Sequence, residues 1–192
     1  MHYGYRVAAI FLLGFFIDCI NIFMSAIALP SIAAQMSVAT ESISWVANSY
    51  ILGLTLIVPL SGWLASRFGT RQTIVASMLI FSIAALGCER ADSFSTLVAW
   101  RFIQGAGGGL LIPVGQALTF NLFQGRQRAA ISTLIMCVAL MAPALSPLLG
   151  GMLVDVLSWR WIFYSNIPFS LLAALLAAIW IRPQAMKRTR AD

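Results

Sequence analysis

Runs of residues without a single charge divide this chain into six apolar stretches. They cover residues 19–40, 42–66, 72–88, 102–125, 129–154 and 161–181. A helix needs about 20 apolar residues to cross roughly 30 Å of hydrocarbon, and most of these runs are long enough by themselves. Backbone groups in lipid must find hydrogen-bond partners within their own segment, so the runs predict membrane-spanning helices.

Two of the runs extend backwards past one charged residue each, Asp18 in the first and Arg101 in the fourth. With these extensions the pattern predicts an all-α membrane protein, a six-transmembrane-helix bundle that residues 1–192 form as a single unit. A basic tail at residues 182–192 follows the last helix. The predicted helices cover approximately residues 7–29, 44–64, 73–90, 96–120, 130–153 and 161–181.

The composition fits a protein whose main solvent is lipid. Hydrophobic residues make up 60% of the chain and charged residues 9%, whereas a soluble domain has about 25% charged residues. The first apolar stretch is longer than the roughly 7 to 15 residues of a signal peptide, and no small-residue cleavage site closes it. We therefore expect this stretch to stay in an integral, multi-pass membrane protein.

Basic residues gather at alternate ends of the predicted helices. Of the 12 lysines and arginines, only Arg90 and Arg160 lie in loops on one side, and Arg101 lies inside a span. Cytoplasmic loops carry such an excess of positive charge, so we expect both termini in the cytoplasm. The net charge of +6 then reflects topology, and no nucleic acid is predicted as a partner. The other nine basic residues are Arg6, Arg67, Arg71, Arg126, Arg128, Arg182, Lys187, Arg188 and Arg190.

The side chains that catalysis within a membrane requires are scarce. His2 is the only histidine, and its place at the N-terminal edge cannot supply a serine–histidine dyad within the bilayer. Asp18 is the only carboxylate well inside a span, which argues against an aspartyl pair and against a metal site. The three cysteines are predicted to be small buried side chains. The sequence therefore predicts no enzymatic activity and no metal.

Four glycines in the fourth span superficially resemble a phosphate-binding loop. They are Gly105, Gly107, Gly108 and Gly109. Because no strand precedes them and no lysine follows, we predict that they serve helix packing.

The charges at Asp18 and Arg101 demand a reason, because a charge inside the membrane costs about 2.5–3.5 kcal/mol. Counting helical rise places both at a similar depth, roughly 12 Å below the outer surface. They are predicted to face a cavity, where they pair or share water, or else each only snorkels or neutralises its partner for assembly. Asn21 and Gln104, one turn away from each, extend these two polar faces.

The fifth span concentrates prolines and glycines. Pro143 and Pro147 lack backbone donors, and Gly150 and Gly151 remove side-chain bulk. This combination permits a kink and close contact with a neighbouring helix. The bend forms a gate, or the prolines are simply tolerated in a helix bundle.

Residues 62–71, with the sequence GWLASRFGTR, resemble a loop motif of major facilitator superfamily transporters. That motif, G-x-L-a-D-r-x-G-r-r, lies between helices 2 and 3 on the cytoplasmic side. Gly62, Arg67, Gly69 and Arg71 match it, and Ser66 replaces its aspartate. The resemblance implies that this loop contributes to a cytoplasmic gate.

Further motifs are similar to the 14-helix drug:proton antiporter branch of that family. Residues 97–107 resemble the helix 4 motif l-x-x-x-R-x-x-q-G-x-g, whose arginine, here Arg101, is implicated in proton coupling. Residues 142–151 resemble the antiporter motif of helix 5, with Ala142 and Ser146 in place of two glycines. Helix 1 carries Asn21 where the branch has a carboxylate, so the resemblance makes Asp18 a shifted replacement. Residues 158–163 and 166–168 resemble its helix 6 signature, and Trp45, Tyr50 and Pro59 fit its helix 2.

This resemblance implies the N-domain of a transporter that exports drug-like or other small amphipathic solutes in exchange for protons. Asp18 would exchange the proton beside Arg101, and the fifth helix, with Pro143, Ser146, Pro147, Gly150 and Gly151, would seal against leak. The proton gradient would be the energy source, no cofactor is implied, and a bacterial cytoplasmic membrane is the expected location.

Besides the lipid bilayer and the solute, the expected partner is a second half of six or eight helices. It would be another copy of the chain, a partner chain or further sequence. The alternative is an orphan half that inserts without transporting and acts at most as an interaction partner.

Overall fold

The computed structural model describes residues 2–183, which fold into seven helices. Within this part of the chain, six helical segments are long and apolar enough to cross a membrane, because α2 and α3 together form one span. The predicted six-helix membrane bundle is thereby confirmed, while the tail beyond residue 183 lies outside the described residues. The helices are α1 (Tyr3–Met36), α2 (Thr40–Ile43), α3 (Trp45–Phe68), α4 (Thr70–Glu89), α5 (Phe94–Leu122), α6 (Arg126–Val156) and α7 (Arg160–Trp180).

Helix α1 is longer than the apolar pattern predicts. It continues past Pro30 to Met36 and ends at Ser37, which adopts a left-handed conformation with φ 53°. A proline removes one backbone donor, and neighbouring helices in a bundle compensate for that loss. The added turns carry Gln35 to the segment before α7, where its Oε1 accepts a hydrogen bond of 2.6 Å from Trp159 Nε1. The extension therefore fastens α1 to the segment that precedes α7.

Helix α5 lies at the centre of the bundle and packs against α1, α3 and α4. Its glycines make these approaches possible, because a Cβ atom at each would run into a different neighbour. At Gly105 the obstacle is the backbone carbonyl of Tyr50, at Gly107 it is the α4 backbone, and at Gly108 it is the carboxyl of Asp18. The prediction that this glycine cluster serves helix packing is confirmed.

Further contacts between helices involve α1 and α4. Helix α1 also packs against α6 and α7, and α4 packs against α7. Two large apolar clusters fill the interior, one containing Ile17 and the other containing Ile20. Asp18 therefore lies on α1 where one apolar cluster gives way to the next.

Helices α3 and α6 leave most of their surface uncovered. Only 28% of the most apolar window of the α2–α3 span is buried, and for α6 the share is 17%. Leu56 on α3 and Leu140 on α6 are examples, with 56% and 72% of their surface exposed. These faces offer apolar area to lipid or to another set of helices.

Candidate functional site

The fully buried side chain of Arg101 is the charge around which the polar interior is organised. Its Nε donates to the carbonyl of Val46 at 2.9 Å, and its Nη2 donates to Ser25 Oγ at 3.0 Å. Its Nη1 donates to Gln104 Oε1 at 2.9 Å and also to Asn21 Oδ1. Acceptors from α1, α3 and α5 thus replace the water that a buried guanidinium has lost.

Two aromatic rings complete the surroundings of this guanidinium. Arg101 Cζ lies 4.4 Å from the centre of the Tyr50 ring and 5.5 Å from that of Phe163. Cations are attracted to ring faces at such distances, most strongly where water is excluded. The buried positive charge is therefore held by dipoles and π faces. Among residues 2–183 the only ion pair joins Arg90 to Glu89, so Arg101 has no carboxylate partner there.

Asp18, the only carboxylate well inside a span, is also almost completely buried, with 1% of its surface exposed. Its Oδ1 accepts a hydrogen bond from the hydroxyl of Tyr50. Its Oδ2 has no hydrogen-bond partner in the described part of the chain. Gly108 of α5 faces the carboxyl group. Because glycine has no side chain, the carboxyl group of Asp18 can occupy the space next to it.

The sequence raised the possibility that Asp18 and Arg101 pair directly, and the structure corrects this. Asp18 bonds to Tyr50, whereas Arg101 bonds to Asn21 of the same helix. Positions 18 and 21 are separated by 300° around a helix at 3.6 residues per turn, so the two side chains point in directions about 60° apart. The helix turns Asn21 towards the guanidinium, and Tyr50 lies between the two charges.

Three side-chain atoms at this place lack partners although they are buried. They are Asp18 Oδ2, Asn21 Nδ2 and Gln104 Nε2, none of which bonds to any described residue. An unsatisfied buried polar group costs about 1–3 kcal/mol, so native proteins keep few of them. We name Asp18, Asn21, Tyr50, Arg101 and Gln104 the polar cluster. It combines an underbonded carboxyl group with a fixed positive charge in an apolar interior.

The loop motif at residues 62–71 covers the last turns of α3, Gly69 and the first residues of α4. Gly69 separates the two helices with φ 92°, and its carbonyl accepts a hydrogen bond of 2.8 Å from Thr73 Oγ1. Ser66 is exposed, and its hydroxyl bonds back to the Trp63 carbonyl of its own helix at 2.9 Å. Arg67 lies over the rings of Trp63 and Phe68. The motif therefore lies at one end of the bundle, away from the polar cluster in the helix interiors.

Helix α6 runs without interruption through Pro143 and Pro147. Ser146 is fully buried and bonds to the carbonyl of Ala142 at 2.6 Å. The two glycines differ, since Gly150 faces Ile27 of α1 while Gly151 faces open space. Of the two glycines, only Gly150 makes the close contact expected from this segment.

Two members of the site, Tyr50 and Ser25, were not among the predicted site residues. Ser25 follows Asn21 by four residues, and that spacing alone places it on the same face of α1. In the sequence Tyr50 stands out only as part of a helix 2 motif, because an aromatic residue in an apolar span carries no sign of polar contacts. Only the packing of α3 against α1 and α5 reveals that it touches both charged side chains.

A bundle of six membrane helices with two buried charges at its centre is an arrangement suited to a transport protein rather than to a structural anchor. Residues 11–191 match the family model of the Major Facilitator Superfamily. The chain therefore belongs to the major facilitator superfamily of membrane transporters.

Two relatives that are about one third identical to the chain share one name. The chain is 33% identical over 177 residues to "Putative multidrug resistance protein MdtD" of Enterobacter sp. (strain 638). It is 34% identical over 177 residues to the protein of the same name from Cronobacter sakazakii. Each alignment covers 92% of this chain and 37% of the relative. The chain thus spans little more than a third of the length of these relatives.

Solved structures of transporters share the fold at much lower identity. A crystal structure of a D-xylose-proton symporter superimposes with a TM-score of 0.78 and 16% identity, covering 95% of this chain and 49% of the symporter. A peptide transporter, POT, gives a TM-score of 0.76 and 15% identity over 90% of this chain and 37% of its own. At these identities the likeness establishes the fold alone.

Proposed function

We propose that this chain is the first six-helix half of a proton-coupled exporter of small amphipathic solutes. The observation that carries the proposal is the polar cluster, where a carboxyl group with an unbonded oxygen lies in an apolar interior close to a buried guanidinium. Asp18 would bind and release the proton, and the proton gradient would be the energy source. The names of the MdtD relatives support a drug-like solute, and no cofactor is part of the proposal.

The cycle would be alternating access, in which this bundle rocks against a second one around a site near the middle of the membrane. The second half would be further sequence, a partner chain or another copy of this one. The uncovered faces of α3 and α6 support such a neighbour, as does the greater length of the relatives. The motif at residues 62–71 would form part of the inner gate, and α6 would seal the interface.

The proposed location is the cytoplasmic membrane of a bacterium, with both termini on the cytoplasmic side. The distribution of arginines supports this orientation, because Arg6, Arg67, Arg71, Arg126 and Arg128 mark one face. Cysteines introduced at exposed positions 5 and 92 would test it in intact cells. Only the one at position 92 should react with a thiol reagent that cannot cross the membrane.

Transport would be tested in proteoliposomes that contain the chain together with any further membrane helices that its own reading frame encodes. An imposed pH gradient should drive accumulation of a fluorescent lipophilic cation, and Asp18→Asn should abolish that accumulation. Asp155→Asn is the matched control, because Asp155 is an exposed carboxylate at the end of α6. Accumulation by Asp18→Asn equal to that of the parent protein would refute the role of Asp18.

A second function is favoured by the same uncovered faces together with the replaced motif residues Ser66 and Asn21. The chain would then insert as an orphan half that binds other membrane proteins without moving a solute. Proteoliposomes that carry the chain alone would show neither solute nor proton movement, while the chain would still co-purify with a membrane protein partner. Flux by the chain alone or with its second half would exclude this function.

A further inference from the structure

Tyr50 is the residue that touches both buried charges. Its hydroxyl donates to Asp18 Oδ1, and the face of its ring lies 4.4 Å from Arg101 Cζ. The side chain is fully buried and belongs to α3, whereas the two charged residues belong to α1 and α5. One phenol group therefore connects three helices at the centre of the bundle.

The hydrogen bond between this phenol and Asp18 differs between the two charge states of the carboxyl group. An ionised carboxylate only accepts hydrogen bonds, so the tyrosine must donate. A protonated carboxyl group also donates, and the bond then joins two neutral groups, with roughly half the strength of a charge-assisted bond. Donation to an anion also makes the ring more electron-rich, which strengthens its attraction for the guanidinium of Arg101. A change in the charge of Asp18 thus alters the attraction between the Tyr50 ring and the guanidinium of Arg101.

The backbone of Tyr50 extends this effect to α3 as a whole. Its carbonyl lies against Gly105, so close that no Cβ atom fits between them. One turn earlier on α3, the carbonyl of Val46 accepts the hydrogen bond from Arg101 Nε. Helix α3 therefore contacts α5 at two successive turns. One contact involves Tyr50 and the other involves Arg101.

Few other titratable groups lie near Asp18, Tyr50 and Arg101. Cys19 follows Asp18 on α1, and Cys88 Sγ of α4 lies 3.8 Å from Gln104 Oε1. The titratable side chains that α6 and α7 contribute are all partly or fully exposed, in contrast to the buried phenol and carboxyl. They are Arg126, Arg128, Cys137, Asp155, Arg160 and Tyr164.

From this geometry we infer that Tyr50 is a positioning residue that couples the charge state of Asp18 to Arg101 and to helix α3. The inference rests on the proposed function, in which Asp18 binds the transported proton. That proton comes from water on one side of the membrane and returns to water on the other, while Tyr50 keeps its own proton in both states. What changes is the hydrogen bond that the phenol makes and the strength of its contact with the guanidinium.

Infrared difference spectra of the full chain in lipid, recorded between alkaline and acidic pH, test the coupling directly. A protonated carboxyl group and a phenol each have their own absorption bands. Protonation of Asp18 should produce a carboxyl band that Asp18→Asn lacks, and a shift of a tyrosine band should accompany it. Tyr50→Phe should remove the tyrosine shift and keep the carboxyl band. Tyr164→Phe is the matched control, because Tyr164 is an exposed tyrosine of α7 and should leave both signals in place.

The outcomes separate the two proposals. A carboxyl band of Asp18 without any tyrosine shift would overturn the role of Tyr50 and leave the proton site standing. The absence of a carboxyl band that depends on Asp18 would overturn both. Should Tyr50→Phe fail to fold, Asp18→Asn with Tyr50 intact still decides, since its tyrosine band must then become independent of pH. A tyrosine shift that persists in Asp18→Asn would refute the coupling.

Discussion

Gly108 of α5 faces the carboxyl group of Asp18 so closely that a methyl group at position 108 would overlap Asp18 Oδ1. The same methyl group would lie 2.9 Å from the hydroxyl of Tyr50. A glycine on the central helix thus leaves the space in which the hydrogen bond between Asp18 and Tyr50 forms. The side chains of Asp18 and Tyr50 are both buried, so neither can move aside into lipid to make room for the methyl group.

The first prediction follows from this contact. Gly108→Ala should break the bond between Asp18 and Tyr50 and lower the free energy of unfolding by about 1–3 kcal/mol, the usual cost of overpacking. Gly151→Ala is the control, because a Cβ atom there meets nothing within 4 Å. Denaturant unfolding in mixed micelles would measure both. Equal stability of the two variants would contradict the close contact.

Arg101→Lys is expected to be far from conservative. A lysine ammonium has three donors on one atom and cannot reach the acceptors that the guanidinium bonds in α1, α3 and α5. Leaving these acceptors unsatisfied should lower the free energy of unfolding by about 2–3 kcal/mol in the same assay.

Arg90→Lys is the matched control for that change. The side chain of Arg90 is 75% exposed, and its ion pair with Glu89 is a surface pair. Such pairs contribute about 0–1 kcal/mol, so this variant should unfold close to the parent protein. Arg101→Lys behaving like Arg90→Lys would mean that the bonds of the buried guanidinium do not stabilise the bundle.

The sequence predicted the six spans because length and apolarity alone decide whether a segment can cross a membrane. It also placed Gln104 beside Arg101, since residues three apart on a helix are neighbours. The hydrogen-bond partner of Asp18 could not be predicted from the sequence, because the direction of a side chain around α1 depends on how that helix is rotated against α3 and α5. The end of α1 was likewise missed, since Pro30 lies within a continuous helix and Gln35 gains its contact with Trp159 only through folding.

The turn between α3 and α4 offers a prediction that separates backbone strain from helix propensity. Gly69 has φ 92°, a conformation that residues with a Cβ atom rarely adopt, and its added methyl group would lie 2.7 Å from Gln72 Oε1. Gly69→Ala should therefore destabilise the fold by about 1 kcal/mol or more. Gly62→Ala, in the same motif but inside α3 with open space around it, should be neutral or slightly stabilising. Thermal unfolding of the two variants checks the difference, and destabilisation by both to the same extent would argue against strain at Gly69.

The adjacent glycines of α6 separate packing within the bundle from association with a second half. A Cβ atom at Gly150 would lie 3.2 Å from Ile27 of α1, whereas one at Gly151 would meet nothing within 4 Å. Gly150→Leu should therefore weaken the packing of α1 against α6 and lower the stability of the isolated chain by about 1–3 kcal/mol. Gly151→Leu should leave that stability unchanged, but it should reduce association with a second half that packs on this face. Unfolding of the chain alone and co-purification with the remaining helices would be measured for both variants. Normal co-purification of Gly151→Leu would show that the second half packs elsewhere, and an unaltered stability of Gly150→Leu would contradict the contact with α1.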